Sequence, residues 1–234
     1  MLQDIAGQAS IDIQFSGPEN GFPYHSCQED IQWLEKFVDS DYAYHATMAR
    51  IWALLTLAIA DEPIVPFDVR AYAREVTNYV AQLKADVETL PQEHGTIDLT
   101  KLENAAGGFV GYADDFMSWE DNWTYRTMGI PEYNPLLEPH VLVIERISRN
   151  NRLSNLDTHL LDLPSPDEGR EGGLPGRRQF KHVIYGPQLW SGYDEAYFPG
   201  IRDALFEYKN FTAAQEQVNI VAGILQHASW KLVN

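Results

Sequence analysis

The chain contains a single cysteine, Cys27, in 234 residues. No intrachain disulfide can form, and no cysteine-built zinc site is available. Cys27 reads as a small buried side chain in the first turn of a helix. Basic residues are scarce as well: 17 Lys and Arg stand against 34 Asp and Glu, a formal net charge of −17 spread along the chain. Nucleic acid and anionic membrane surfaces both call for basic patches, so this balance argues against either partner and for solubility. Long apolar runs are missing. The most apolar stretch, Ile51 to Ala60, follows Arg50 and is too short to span a bilayer, so it reads as a buried helix. Met1 leads straight into polar and small residues without a signal-peptide pattern, and no internal repeat is evident.

What is present is an ordinary globular balance, 44% apolar and 22% charged, in a chain long enough for one large domain or two modest ones. Helical periodicity dominates after Ser26. One stripe runs through Ile31, Leu34, Phe37 and Val38, and a second helix follows from about Asp41 to Ala60, apolar nearly all round in its second half and therefore central. Asp68 caps a third helix with Tyr72, Val76, Tyr79, Val80, Leu83 and Val87 inward. Thr100 and Glu103 form a capping box for a fourth, striped by Leu102, Phe109, Tyr112 and Phe116. Residues 119–139, rich in aromatics and proline, have no clear period and read as an ordered connection. In it Trp119, Trp123 and Tyr125 read as packing rather than a ligand-binding wall. Helix returns over about 140–162 with Ile144, Ile147, Leu153, Leu156 and Leu160 inward. Residues 163–176 are dense in Pro, Gly and charge and predict an exposed, mobile loop. Residues 181–185 are extended, 201–208 form a short helix, and Thr212 with Gln215 boxes the start of the last helix. That helix buries Val218, Val221, Leu225, Ala228 and Leu232.

The first 25 residues do not look like the start of a domain. Residues 10–15 alternate as a strand, with no partner nearby, and one strand is not stable alone. Next comes Gly21-Phe22-Pro23-Tyr24-His25-Ser26, a turn in which Ser26 and Glu29 make a capping box. His25 thus sits on a stiffened turn at a helix entrance, well placed to be a metal ligand. The other histidines, at 45, 94, 140, 159, 182 and 227, have no shared ligand spacing and read as structural or exposed. Two sequons, at Asn122 and Asn210, are candidate glycosylation sites that hint at a secretory history.

Four ordered segments carry a family likeness: Tyr24-His25-Ser26, Pro66-Phe67-Asp68, Lys181 through Pro187, and Phe198 through Leu205. Together they resemble the C-terminal part of glutamate carboxypeptidase II and its relatives, the transferrin receptor among them. The resemblance runs from about Ala9 to the end. It implies a mainly α fold, a helical dimerisation domain over 26–234, preceded in 1–25 by the strand and loop left from an α/β zinc-peptidase domain. It implies His25 as the last ligand of a two-zinc centre, with zinc bound in the full-length protein and not in this chain by itself. Tyr24 matches the tyrosine near the scissile group, and Tyr193 the tyrosine of the loop receiving the substrate's terminal carboxylate. The lysine of that loop is replaced by Gly192, which puts a preference for C-terminal glutamate in doubt. Residues 165–173 look like an insertion. The expected partners are a second copy in a homodimer, upstream peptidase and protease-associated domains, and a peptide substrate. The expected setting of the full-length protein is the secretory pathway, a vacuole or the outside of the cell. The expected function is homodimerisation and completion of a substrate pocket, without catalysis by the isolated chain. The alternatives are part of an active zinc exopeptidase, or a receptor-like protein that has lost catalysis.

Overall fold

The computed structural model describes residues 2–16, 22–91, 95–127, 134, 136–191 and 194–234, the side chain of Glu168 excepted. The architecture is mainly α, as the periodicity predicts. The chain divides into two compact units: residues 1–10 with 67–234, and residues 11–66. That division differs from a break after residue 25.

The larger unit is built on three long helices, α4 (Val69–Glu88), α5 (Thr100–Thr127) and α9 (Phe211–Val233). Asp68 Oδ1 accepts from the N–H groups of Arg70 and Ala71, satisfying two of the donors that open α4. Val76, Val80 and Leu83 are buried below it. Leu102, Phe109 and Phe116 line the inner face of α5, and Val218, Val221, Leu225, Ala228 and Leu232 that of α9. Each stripe follows the three-four spacing that puts residues on one side of a helix.

The caps differ from the expected boxes. At α5 the acceptor for Thr100 N–H is Asp98 Oδ1, and Glu103 is drawn away to Lys84 Nζ at 2.6 Å. At α9 Asn210 Oδ1 accepts from Ala213 N–H, while Gln215 exchanges two hydrogen bonds with the backbone of Asp98. In each case a side chain one or two residues upstream takes the cap, freeing the other for a tertiary contact.

α5 also runs to Thr127, through the first part of the stretch expected to be a connection. Trp119 and Trp123 explain it: their indole N–H groups donate to Glu145 (3.0 Å) and Glu138 (2.7 Å), anchoring the last turns. Tyr125 remains exposed. Beyond it α6 (His140–Ser154) and α7 (Leu156–His159) bury Leu142, Leu153 and Leu156, with Leu160 buried just past α7. Ile144 and Ile147, expected inward, are exposed at 63% and 51%. Two faces of α6 carry apolar residues, and the sequence pattern does not rank them.

The segment after α7 is neither wholly exposed nor without structure. Asp162 N–H donates to Lys181 O, Gly173 N–H to Asp162 O, and Arg170 pairs with the Asp162 carboxylate. Gly172, Gly173 and Leu174 are buried. Gly172 has φ +73°, and a Cβ there would stand 2.6 Å from the carbonyl carbon of Leu163, so glycine is required. A two-stranded antiparallel hairpin follows, β1 (Tyr185–Pro187) pairing with β2 (Glu195–Tyr197) so that Tyr185 faces Tyr197. α8 (Pro199–Arg202) continues directly into a π-helical turn, Asp203–Glu207.

At the other end, residues 2–6 form α1 (Leu2–Ala6), which the sequence pattern did not indicate. The carbonyl of Asp4 accepts from Lys181 and His182 N–H, and Gln3 Nε2 donates to Asp157. The strand expected at residues 10–15 is absent; among the described residues no strand pairs with it, and an isolated strand leaves its backbone groups unpaired.

The smaller unit contains α2 (Ile31–Phe37) and α3 (Ala43–Asp61). Here the expectation of a buried central helix is overturned: no residue of α3 is buried. At 19 residues it is also longer than its most apolar core, and by length and composition it is a helix that could cross a membrane. Among the described residues of this unit the buried one is Asp39, whose carboxylate accepts from Tyr44 and His45 N–H and, at 2.6 Å, from His45 Nδ1. Burial raises the Asp39 carboxyl, but these hydrogen bonds outweigh it and hold the group below its ordinary value.

Candidate functional site

His25 lies in the smaller unit, in the turn before α2. Its backbone is in the left-handed region, φ +56°, which costs energy for a residue with a Cβ. Two contacts hold it there. Its N–H donates to Glu29 Oε2 at 2.7 Å, and its ring stacks on that of Tyr24, with centroids 3.9 Å apart and planes inclined by 18°. Ser26 Oγ accepts from Gln28 N–H, and the cap of α2 is Asp30, which accepts from Trp33 N–H at 2.8 Å. The expected Ser26–Glu29 box is therefore redrawn: the glutamate reaches His25, and the helix starts at Ile31. Both Tyr24 and His25 are exposed, as is Cys27, which the sequence reading placed in the interior.

A hydrolytic zinc centre needs several His and carboxylate ligands around one ion. Among the described residues no group of three or more His, Cys, Asp or Glu side chains converges on a common point. The His25 imidazole without two further ligands beside it does not make a zinc site, so the described residues do not fit the metal without others.

The second candidate region is the loop between β1 and β2, in the larger unit. Gly192 and Tyr193 fall outside the described residues, but the frame on either side is well defined. Gln188 N–H donates to Asp194 O at 2.8 Å and Asp194 N–H to Ser191 Oγ. Arg177 ties the frame down, donating to the carbonyl of Pro187 at 2.8 Å and to Asp203 Oδ2 at 2.5 Å. Burial raises the Asp203 carboxyl, with the Arg177 guanidinium opposing. Tyr79 stacks flat on Tyr197, centroids 4.6 Å apart, and Tyr197 Oη donates to Gln82 Oε1.

Beside this loop a cavity of about 310 Å3 is lined by Trp190, Tyr197, Arg202, Phe206 and Glu207. The Arg202 guanidinium lies 4.3 Å from the Tyr197 ring centroid and donates to Asp86. Sequence reasoning missed Trp190, Arg202 and Phe206. Their spacing of 4 to 12 residues in chain is brought together by the hairpin and the π-turn, and no linear pattern marks it.

The sequons occupy regular structure: Asn122 is an exposed residue of α5, and Asn210 is the N-cap of α9.

The described residues form a mainly α chain in which no group of three or more His, Cys, Asp or Glu side chains is assembled. Comparison with known proteins gives it a family. The transferrin receptor-like dimerisation domain matches residues 97–233, and the chain belongs to that family. It is similar to a "probable glutamate carboxypeptidase" of Zea mays, 28% identical over 97% of this chain and 28% of the relative. A protein of the same description in Arabidopsis thaliana matches equally, 28% identical over 97% of this chain and 28% of its own length. An "inactive zinc metalloprotease" of Schizosaccharomyces pombe is 26% identical over 96% of the chain and 26% of the relative. The chain thus spans little more than a quarter of the length of these relatives.

Proposed function

We propose that this chain is the homodimerisation module of a glutamate carboxypeptidase-like zinc metallopeptidase, and that it completes the substrate pocket without being catalytic by itself. The observation that carries this reading is the match of 97–233 to the dimerisation domain, together with His25 standing outside any group of three or more candidate metal ligands among the described residues. In the longer protein His25 supplies one zinc ligand and Tyr24, stacked on it, a hydrogen bond near the scissile group. The upstream peptidase portion, of which residues 1–25 are the last part, supplies the other ligands. The β1–β2 loop contributes Tyr193 to the pocket for the terminal carboxylate of a peptide. Gly192 offers no cation there, so selection of a C-terminal glutamate side chain is weakened. Asn122 and Asn210 are the glycosylation sites of a protein that passes through the secretory pathway.

A second reading, a binding protein without catalysis, is favoured by the relative named as inactive. Two measurements on the purified chain test the first. Light scattering at tens of micromolar should give twice the 26.6 kDa chain mass; a monomer refutes the homodimer. Metal analysis with a dipeptide hydrolysis assay should give neither stoichiometric zinc nor turnover, and either one refutes the non-catalytic assignment.

A further inference from the structure

The cavity beside the β1–β2 loop lies between that loop and the π-helical turn Asp203–Glu207. Tyr208 N–H donates to Asp203 O at 2.9 Å, a bond spanning five residues that makes this turn wider than an α-helical one. Asp203, Phe206 and Glu207 all line the cavity from it. Such turns are rare and occur mostly at functional sites. One hydrogen bond ties the two walls together: the Trp190 indole N–H donates to Glu207 Oε2 at 2.7 Å. It holds a carboxylate at the edge of the indole, while 79% exposure leaves the faces of the ring in solvent.

Charge decides what the cavity takes. Four charged side chains line it, and two of them are already neutralised. Arg202 pairs with Asp86 at 2.6 Å, and Asp203 pairs with Arg177. Glu195 and Glu207 form no ion pair among the described residues, so the cavity keeps two negative charges of its own. Withdrawal from water, with the charge of Asp4 behind it, raises the Glu195 carboxyl, and a cation beside it would relieve that cost. The opposite wall shows the matching chemistry inside the chain. There the Arg202 guanidinium lies 4.3 Å from the Tyr197 ring centroid and 5.7 Å from that of Phe206. Trp190 presents a larger face of the same kind, and indole is the strongest of the aromatic rings for cations. A volume of about 310 Å3 suits one small group and excludes a folded partner.

We propose that this cavity binds a small organic cation, an alkylammonium or guanidinium group, stacked on Trp190 with Glu207 and Glu195 as its anionic partners. Every group involved lies in this chain, and the site is independent of whether the chain dimerises. Free amines present such a group, and so do the lysine and arginine side chains of peptides.

The test is isothermal titration calorimetry on the full 234-residue chain at low ionic strength. Cadaverine probes free amines, N-acetyl-lysinamide and N-acetyl-argininamide probe peptide side chains, and N-acetyl-norleucinamide is the uncharged control. At least one cationic probe should bind one to one with a dissociation constant below about 1 mM, and about tenfold more tightly than the control. Whichever class binds better identifies the source. Glu207→Gln keeps an acceptor for Trp190 and removes one of 34 acidic residues, so the general attraction of the acidic surface is nearly unchanged. Binding should nevertheless fall about fivefold in Glu207→Gln and in Trp190→Leu, each of which removes one contact to the cation. Both side chains are exposed, so melting temperatures should stay within about 2 °C of wild type. Glu216→Gln, exposed on α9 and outside the cavity lining, should bind as wild type does. No saturable binding by any cationic probe, equal affinity for the uncharged control, or unchanged affinity in either cavity variant overturns the proposal.

Discussion

His182 offers the sharpest check on the reasoning. It has no exposed surface, and its Nδ1 accepts two backbone hydrogen bonds, from Ile184 N–H at 3.2 Å and Tyr185 N–H at 3.1 Å. Accepting at Nδ1 places the ring proton on Nε2, which is buried without a hydrogen-bond partner, 3.6 Å from Asp157 Oδ1. Replacing His182 by leucine keeps the volume roughly and removes the acceptor. Two buried donors are then unsatisfied. Each costs about 1–3 kcal/mol, and loosening of the turn offsets part of the upper end of their sum, so the expected loss is about 2–4 kcal/mol. Loss of Nε2–H takes little away, because it makes no hydrogen bond. For a unit of this size that corresponds to a fall of roughly 5–15 °C in melting temperature. Urea denaturation with an unchanged slope measures it. His182→Asn, which keeps an acceptor near the same place, should cost less than leucine. Amide exchange should also speed up across 185–197, because the turn leads into β1. A leucine variant within about 0.5 kcal/mol of wild type would show that the two N–H groups find other acceptors, and the account of this turn would be wrong.

Three further outcomes are expected. Arg146 forks onto Glu138, whose side chain is fully buried, with Nη2 at 2.8 Å from Oε2. Arg146→Met should destabilise by the lower part of the 3–5 kcal/mol range, about 3, because Trp123 still donates to the carboxylate; chemical denaturation reads it. Gly172→Ala should cost at least about 2 kcal/mol in the same assay, from positive φ and the close approach to Leu163, and an unchanged midpoint would contradict the buried-turn geometry. The Thr100 hydroxyl and N–H hold the Asp98 carboxyl below its ordinary value. A depressed carboxyl stabilises the fold above its unfolded value, and that contribution disappears as pH falls through the folded value. Urea midpoints of wild type should therefore drop faster than those of Asp98→Asn as pH is lowered from 6 to 3.

Much of the helical frame was legible because its signal is local. Asp68 capping α4 and the inward stripe of α9 both follow from periodicity and a few side-chain types. The misreadings share a cause. Glu103 and Gln215 look like capping-box partners, yet each is recruited by a residue far away in the chain, Lys84 and Asp98. Trp119 and Trp123 look like loop aromatics until Glu145 and Glu138 are seen to receive their N–H groups, extending α5 by two turns. The second half of α3 is apolar nearly all round and reads as interior, but hydrophobicity states that a surface seeks cover and not which surface covers it. At the candidate sites, His25 and its turn were readable from a few adjacent residues. The cavity of Trp190, Arg202 and Phe206 was not, because its members meet only after the hairpin and π-turn have formed.

Sequence alone therefore determined the helical class, the family likeness, the acidic surface and the presence of a single imidazole on a stiff turn. These depend on residue type and on spacings of three or four, which short-range sterics and hydrogen bonding translate directly into shape. Tertiary structure decided which carboxylate takes which donor, where the turn at 172 needs a glycine, and which side chains meet around the cavity beside the hairpin. Those depend on distances between residues far apart in the chain, and no local rule contains them.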